Sequence, residues 1–240
     1  SDVYKRQLTM TLNTTESCNL SCTYCYEINK KPKHLSLEKA KAFIDLFLSS
    51  EDPIGVKGTP NEWILDSGVI LDFIGGDSLM DPELLDEILS YFQFKIWDTN
   101  HRAKNNWRAS ISTNGTLFSR PEVRRFCEKW RAVLSLGVSI DGAPIIHDKY
   151  RIFPDGSPSS PVILEAWPWF RSIFPEDSLS TKATASKATI PFLYESLVYM
   201  HETLGLRWIS QNFIMEDMDL EPSDLEELDR QLEKSVYYLL

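Results

Sequence analysis

Leu8-Thr-Met-Thr-Leu-Asn-Thr14, followed by Thr15-Glu-Ser17 and then Cys18-Asn-Leu-Ser-Cys22-Thr-Tyr-Cys25, is the stretch whose reading decides the fold. Leu8, Met10 and Leu12 alternate with polar residues, the two-residue period of a half-buried strand. A loop carrying three cysteines follows directly. Beyond it, Ser36 with Glu38 and Lys39 opens an amphipathic helix over Leu37 to Leu48, with Ala40, Phe43, Ile44 and Phe47 at helical spacing. A linker with Pro53, Gly55, Gly58 and Pro60 leads to a second strand, Val69 to Ile74. Asp81-Pro82 then starts a helix through Leu84, Leu85, Ile88, Leu89 and Phe92, with proline in the favoured first turn.

The alternation repeats along the chain. Arg108 to Thr113 reads as a strand, Pro121 to Arg131 as a helix, Val133 to Ile140 as a strand, and Val162 to Ile173 as a helix. Leu179 to Ala185, Pro191 to Leu204 and Trp208 to Ile214 continue as strand, helix and strand. Parallel neighbours need crossover connections, so the series implies a parallel sheet with helices outside. Right-handed crossovers wind it into an α/β fold, a partial (β/α)6 TIM-like barrel with parallel strands.

The 240 residues are 42% hydrophobic, enough for one large core, since a chain of this size buries roughly 70–75% of its unfolded surface. A net charge of −10 disfavours nucleic acid or an anionic membrane as partner, because phosphates need a surplus of Lys and Arg. No apolar run approaches the roughly 18–20 residues that cross a bilayer, and with no basic leader before an apolar stretch the protein reads as cytoplasmic. From Glu216 to Leu240 there are nine acidic and two basic residues, a net of −7, which leaves −3 for the rest. The body is close to neutral. Residues 1–7 read as an unstructured leader. Ser223-x-x-Glu226 is a capping box that opens a final helix through Leu225, Leu228, Leu232, Val236 and Leu239. That helix is expected to lead from the acidic linker at 216–240 toward a further C-terminal domain.

Three of the four cysteines, Cys18, Cys22 and Cys25, fall within eight residues as C-x3-C-x2-C. Thiolates suit zinc or iron–sulfur clusters. A structural zinc site takes four protein ligands and an electron-carrying cubane four thiolates, so three cysteines leave one coordination site open for an exchangeable ligand. The alternatives are buried small residues, or a zinc site completed by His34, nine residues past Cys25. Cys127 sits on the apolar side of its helix and reads as a core thiol.

C-x3-C-x2-C with an aromatic, Tyr24, before the last cysteine, directly after the first strand of a parallel β/α series, resembles the radical S-adenosylmethionine superfamily. Further motifs follow in that family's order: Ile74-Gly75-Gly76-Asp77 after the second strand, Ser110 to Gly115 (SISTNG) after the third, and Ser139-Ile-Asp141-Gly142 after the fourth, trailed by His147-Asp148-Lys149-Tyr150-Arg151. The set covers 8–215 as a core domain. It is most similar to the peptide- and protein-modifying branch, the anaerobic sulfatase maturases and maturases of ribosomally made peptides, whose members usually add a cysteine-rich, SPASM-type C-terminal domain with auxiliary clusters. Nothing in this sequence matches that domain.

The resemblance implies an enzyme with two cofactors. Cys18, Cys22 and Cys25 would hold a [4Fe-4S] cluster whose fourth iron takes the amino and carboxylate groups of S-adenosyl-L-methionine. An electron donor such as flavodoxin or ferredoxin would feed it, and reductive cleavage would give a 5′-deoxyadenosyl radical that takes hydrogen from a peptide or protein substrate. Gly75 and Gly76 would let backbone carbonyls approach the methionine ammonium, a β-carbon there being expected to clash. Asp77 stands where the family has glutamate. Ser139 and Asp141 would bond the ribose, Arg151 the methionine carboxylate, and Tyr24 would lie near the adenine, with Ser112 and Asn114 at the end of the third strand. Each also has a plainer reading, as a turn for Gly75-Gly76, Asn114-Gly115 and Asp141-Gly142, or a solvated charge for Arg151.

Overall fold

The computed structural model describes residues 8–27, 30–49, 68–174, 179–214 and 219–239. The expected leader at 1–7, the Pro53–Pro60 linker and the start of the acidic segment lie outside them. In chain order the elements are β1 (Leu8–Thr15), α1 (Leu37–Ser49), β2 (Val69–Gly75), α2 (Pro82–Asp98), β3 (Trp107–Thr113), α3 (Pro121–Trp130), β4 (Leu134–Val138), α4 (Pro144–His147), α5 (Ser160–Ile173), β5 (Leu179–Ala185), α6 (Leu193–Val198), β6 (Trp208–Phe213) and α7 (Pro222–Leu239). The six strands are parallel and form one sheet in sequential order, β1-β2-β3-β4-β5-β6. The α/β class and the β/α alternation are therefore as expected. Among the described residues no helix is long and apolar enough to cross a membrane.

The chain divides into two compact units. In the first, β1 pairs with β2 from Leu8↔Val69 to Asn13↔Ile74, then skips a residue so that Thr15 opposes Gly75. That bulge re-aims the chain as it leaves the sheet toward the cysteines. Met10 and Leu12 of β1, Leu71 and Phe73 of β2 and Ala109 and Ile111 of β3 are buried in the core, as are Ile44 of α1 and Leu85, Ile88, Leu89 and Phe92 of α2. Trp107 presents its edge to Phe92 and to Trp130, at centroid distances of 5.2 and 6.2 Å. Asp81 starts α2 as expected, its carboxylate accepting from the Leu84 N–H with Pro82 just inside.

The second unit holds β4 paired with β5 from Leu136↔Leu179, and β5 paired with β6 from Ser180↔Trp208 to Ala185↔Phe213. Phe118 stacks on Phe170 of α5 at 4.4 Å. β4 ends at Val138 rather than Ile140, because both backbone groups of Ile140 bond the Thr181 hydroxyl instead of the backbone of a neighbouring strand. The helix expected over Pro191 to Leu204 is three pieces: a 3-10 turn (Lys187–Phe192), α6, and a π turn (Tyr199–Thr203). Pro191 has no N–H to donate, and the tighter opening is capped reciprocally by Ser186 and Thr189. α7 begins at Pro222, which puts Ser223 inside it. The capping contact is Asp224 accepting from the Glu221 N–H rather than the Ser223–Glu226 box.

Candidate active site

In the first unit, the segment leading into the cysteine loop lies against the glycine pair at the end of β2. Gly76 N–H donates to the Thr15 carbonyl and Asp77 N–H to the Ser17 carbonyl, both at 2.8 Å. A β-carbon on Gly75 would overlap the Thr15 carbonyl oxygen, and one on Gly76 the Ser17 carbonyl oxygen. Gly75 also has φ +145°, which side chains rarely adopt. The expected clash is present, and the atoms that need the space are these two carbonyls. Asp77 is buried and turned inward, its Oδ1 accepting from the Leu79 N–H at 3.0 Å as the cap of a 3-10 turn. His34 meets Asp81, Nδ1 to Oδ2 3.2 Å.

In the second unit, the cysteine loop is held by the stretch around Arg151. Ser21 N–H donates to the Ile152 carbonyl at 2.8 Å and Thr23 N–H to the Tyr150 carbonyl at 3.0 Å, while Cys25 N–H closes a turn onto the Cys22 carbonyl. These bonds fix the backbone that carries two of the three thiols. Asn19 adds a side-chain tie: Asn114 Nδ2 donates to Asn19 Oδ1 at 2.9 Å, Asn19 Nδ2 donates to Thr116 Oγ1, and Asn114 Oδ1 accepts from Thr116. Asn114 is thus an anchor for the loop. Cys18, Cys22 and Cys25 are half-buried, whereas Cys127 is fully buried, its thiol pushed up to about 12 by burial. Among the described residues no group of three or more His, Cys, Asp or Glu side chains is gathered as a metal site.

Asp141 and Arg151 are spent on each other. Arg151 Nε and Nη2 donate to the two Asp141 carboxylate oxygens at 2.9 and 3.0 Å. The remaining positions on the carboxylate take the Tyr24 hydroxyl at 2.5 Å and the Thr184 N–H at 2.8 Å. Four donors saturate the acceptor. Those are the atoms that the resemblance assigns to a ribose and a methionine carboxylate, and here protein groups occupy them. Arg151 is buried, so it is not a solvated charge. Burial opposes its cation, but Asp141 beside it raises its affinity for the proton. Tyr24 lies 5.5 Å from Tyr150, with the Arg151 guanidinium 5.3 Å over its ring. Burial, reinforced by Asp141 and opposed by Arg151, holds its hydroxyl protonated. Ser139, half-buried, donates its N–H to the Thr113 carbonyl, and Ser112 Oγ accepts from Lys182 at 2.8 Å.

No family model matches the chain. It is 28% identical over 228 residues to an uncharacterised protein of Methanocaldococcus jannaschii, covering 93% of this chain and 69% of that one. It is 33% identical over 151 residues to the serine-type anaerobic sulfatase-maturating enzyme of Bacteroides thetaiotaomicron, covering 59% of this chain and 31% of the relative. The solved structure of native anSMEcpe with bound AdoMet and Cp18Cys peptide superposes with a TM-score of 0.72 at 18% identity, over 97% of this chain and 60% of that one. The chain shares the parallel β/α fold of that AdoMet-bound structure. The chain spans about a third of the sulfatase-maturating relative it matches and about three-fifths of the solved enzyme.

In a parallel β/α fold of this kind, ligands sit at the carboxyl ends of the strands, and Cys18, Gly76, Asn114 and Asp141 follow β1, β2, β3 and β4. Sequence reasoning does not single out Ser159, or Asn19, Lys182 and Thr184, whose partners are distant in the chain. It noted His147 only as part of a motif. Its spacing of four from Arg151 was a usable signal, since such residues share one face of a helical turn.

Proposed function

We propose that this chain is the catalytic core of a radical S-adenosylmethionine enzyme acting on a peptide or protein, in the manner of the sulfatase and peptide maturases. One observation carries the reading: a loop with three half-buried thiols in C-x3-C-x2-C spacing is pinned by backbone bonds in a fold that superposes on an AdoMet-binding maturase. Three soft donors in this spacing fit a [4Fe-4S] cluster with one open iron. Cys18, Cys22 and Cys25 would be its ligands. When bound, the cluster and S-adenosyl-L-methionine supply one-electron cleavage of the sulfonium and hydrogen abstraction from the substrate, with the electron coming from a flavodoxin- or ferredoxin-type donor.

This chain's residues bind and orient. The Gly75-Gly76 turn lets Thr15 and Ser17 approach, so the segment entering the loop has one path. Ser139, just beyond the end of β4, would bond the cofactor's ribose, with Ser112 near the end of β3 as a further polar group. In the second unit, Asp141 and Arg151 hold the loop through the Tyr24 hydroxyl. The test is anaerobic reconstitution followed by iron and sulfide analysis, then dithionite reduction with S-adenosyl-L-methionine. About four irons per chain and release of 5′-deoxyadenosine are expected. One bound zinc in place of iron and sulfide would overturn the reading.

A further inference from the structure

His147 is buried at the end of α4, with both ring nitrogens in use. Nδ1 lies 3.3 Å from the backbone nitrogen of Asp141, and Nε2 lies 3.0 Å from Ser159 Oγ. A backbone N–H can only donate, so Nδ1 is the acceptor and carries no proton. The neutral ring then has its hydrogen on Nε2 and donates to Ser159. The Ser159 hydroxyl donates in turn to the Arg151 carbonyl at 2.6 Å. The chain of donors thus runs from the backbone of Asp141 to the backbone of Arg151, the two residues whose side chains form the buried pair.

We propose that His147, as the Nε2-protonated neutral tautomer, is a positioning residue that ties the Asp141 and Arg151 backbones together and thereby sets where the Asp141 carboxylate receives the Tyr24 hydroxyl of the cysteine loop. The same stretch bonds that loop directly, through the Ile152 and Tyr150 carbonyls to Ser21 and Thr23. His147 therefore acts on the loop by two routes, through the carboxylate and through the backbone after Arg151. Burial supports the neutral form by pushing its pKa down to about 4, with Asp141 and Asp148 opposing the shift and Arg151 reinforcing it. The functional meaning rests on reading the loop as the cluster's seat. The geometry does not.

The experiment uses the 15N-labelled full chain. Long-range proton–nitrogen correlation at neutral pH should show His147 protonated on Nε2 alone. Hydrogen exchange should show the Ser21 and Thr23 amides protected, and S159A, which removes one hydroxyl from the relay, should speed their exchange about tenfold while leaving β1 amides unchanged. H147N keeps an acceptor near the Nδ1 position and H147Q a donor near the Nε2 position, so each should restore part of the protection that H147F loses. A proton on Nδ1, an imidazolium at neutral pH, or unchanged exchange at Ser21 and Thr23 in S159A would overturn the proposal. Iron and sulfide content of the reconstituted wild-type chain separates the two claims: a chain without cluster that shows the His147-dependent protection refutes the function and keeps the inference.

Discussion

Arg151 grips Asp141 with two parallel donors, Nε to Oδ2 and Nη2 to Oδ1, and both side chains are withdrawn from solvent. Ten residues separate them in the chain. The pair closes the segment after β4 and gives Tyr24 its hydrogen-bond acceptor, so a connection between two strands also holds the loop that carries the cysteines.

Removing one member of this pair should be far more harmful than its neutral partners suggest, because the other charge stays buried. Asp141→Asn is expected to cost about 3–5 kcal/mol. Arg151→Lys should be intermediate, since an ammonium cannot make the fork. Urea unfolding at constant slope checks both. A loss below about 1 kcal/mol in Asp141→Asn would mean that solvent reaches the pair.

Gly76→Ala tests the approach of the cysteine segment to β2. The added methyl overlaps the Ser17 carbonyl oxygen, which is backbone and cannot rotate away. The expected outcome is a destabilisation of about 1–3 kcal/mol, the usual range for overpacking, with less iron retained after reconstitution. A variant that keeps wild-type stability and iron would show that the segment has room to shift.

Protonation of His147 should contribute to acid lability. Its folded pKa of about 4 lies below the ordinary 6.5, so the unfolded chain binds more protons between those values. The stability from keeping the ring neutral is therefore complete above about pH 6.5 and lost as pH falls toward 4, and the depression corresponds to on the order of 3 kcal/mol. Unfolding free energy measured across this window should fall more steeply in the wild type than in H147N. Parallel curves would assign the acid lability to carboxylates alone.

The four cysteines should divide three to one. Alanine at Cys18, Cys22 or Cys25 is expected to abolish iron binding, whereas Cys127→Ala should leave it intact at a modest cost in stability. In the metal-free chain at pH 8, iodoacetamide should label the three half-buried thiols and spare Cys127, whose burial and raised pKa suppress the thiolate. Rapid labelling of Cys127 in the folded chain would contradict its place in the core.

Much of this was legible in the residues because local periodicity and tertiary packing agree. Leu179, Ala183 and Ala185 fall at alternate positions among polar residues, and Leu179 to Ala185 is a strand over that same span. Where they disagree, the sequence reading fails in a traceable way. The apolar spacing after β5 promises one helix, yet Pro191 breaks its start and a π turn ends it. Asp141 and Arg151 stand out as site residues, but their attachment to each other does not, since a separation of ten positions encodes no distance. The same holds for Asn19 and Asn114, 95 residues apart. Pairings between remote polar groups leave no period to read.

The attachment of the cysteine loop to residues 150–152 also has a consequence in time. Thr23 finds its partner at Tyr150 and Tyr24 at Asp141, 117 positions downstream. During synthesis from the amino end at roughly 5–20 residues per second, the three thiols leave the ribosome on the order of ten seconds before the residues around Arg151 that hold them. Metal delivery to a nascent chain would meet a loop not yet framed by that stretch, so on the proposed function the expected order is scaffold first and iron afterwards.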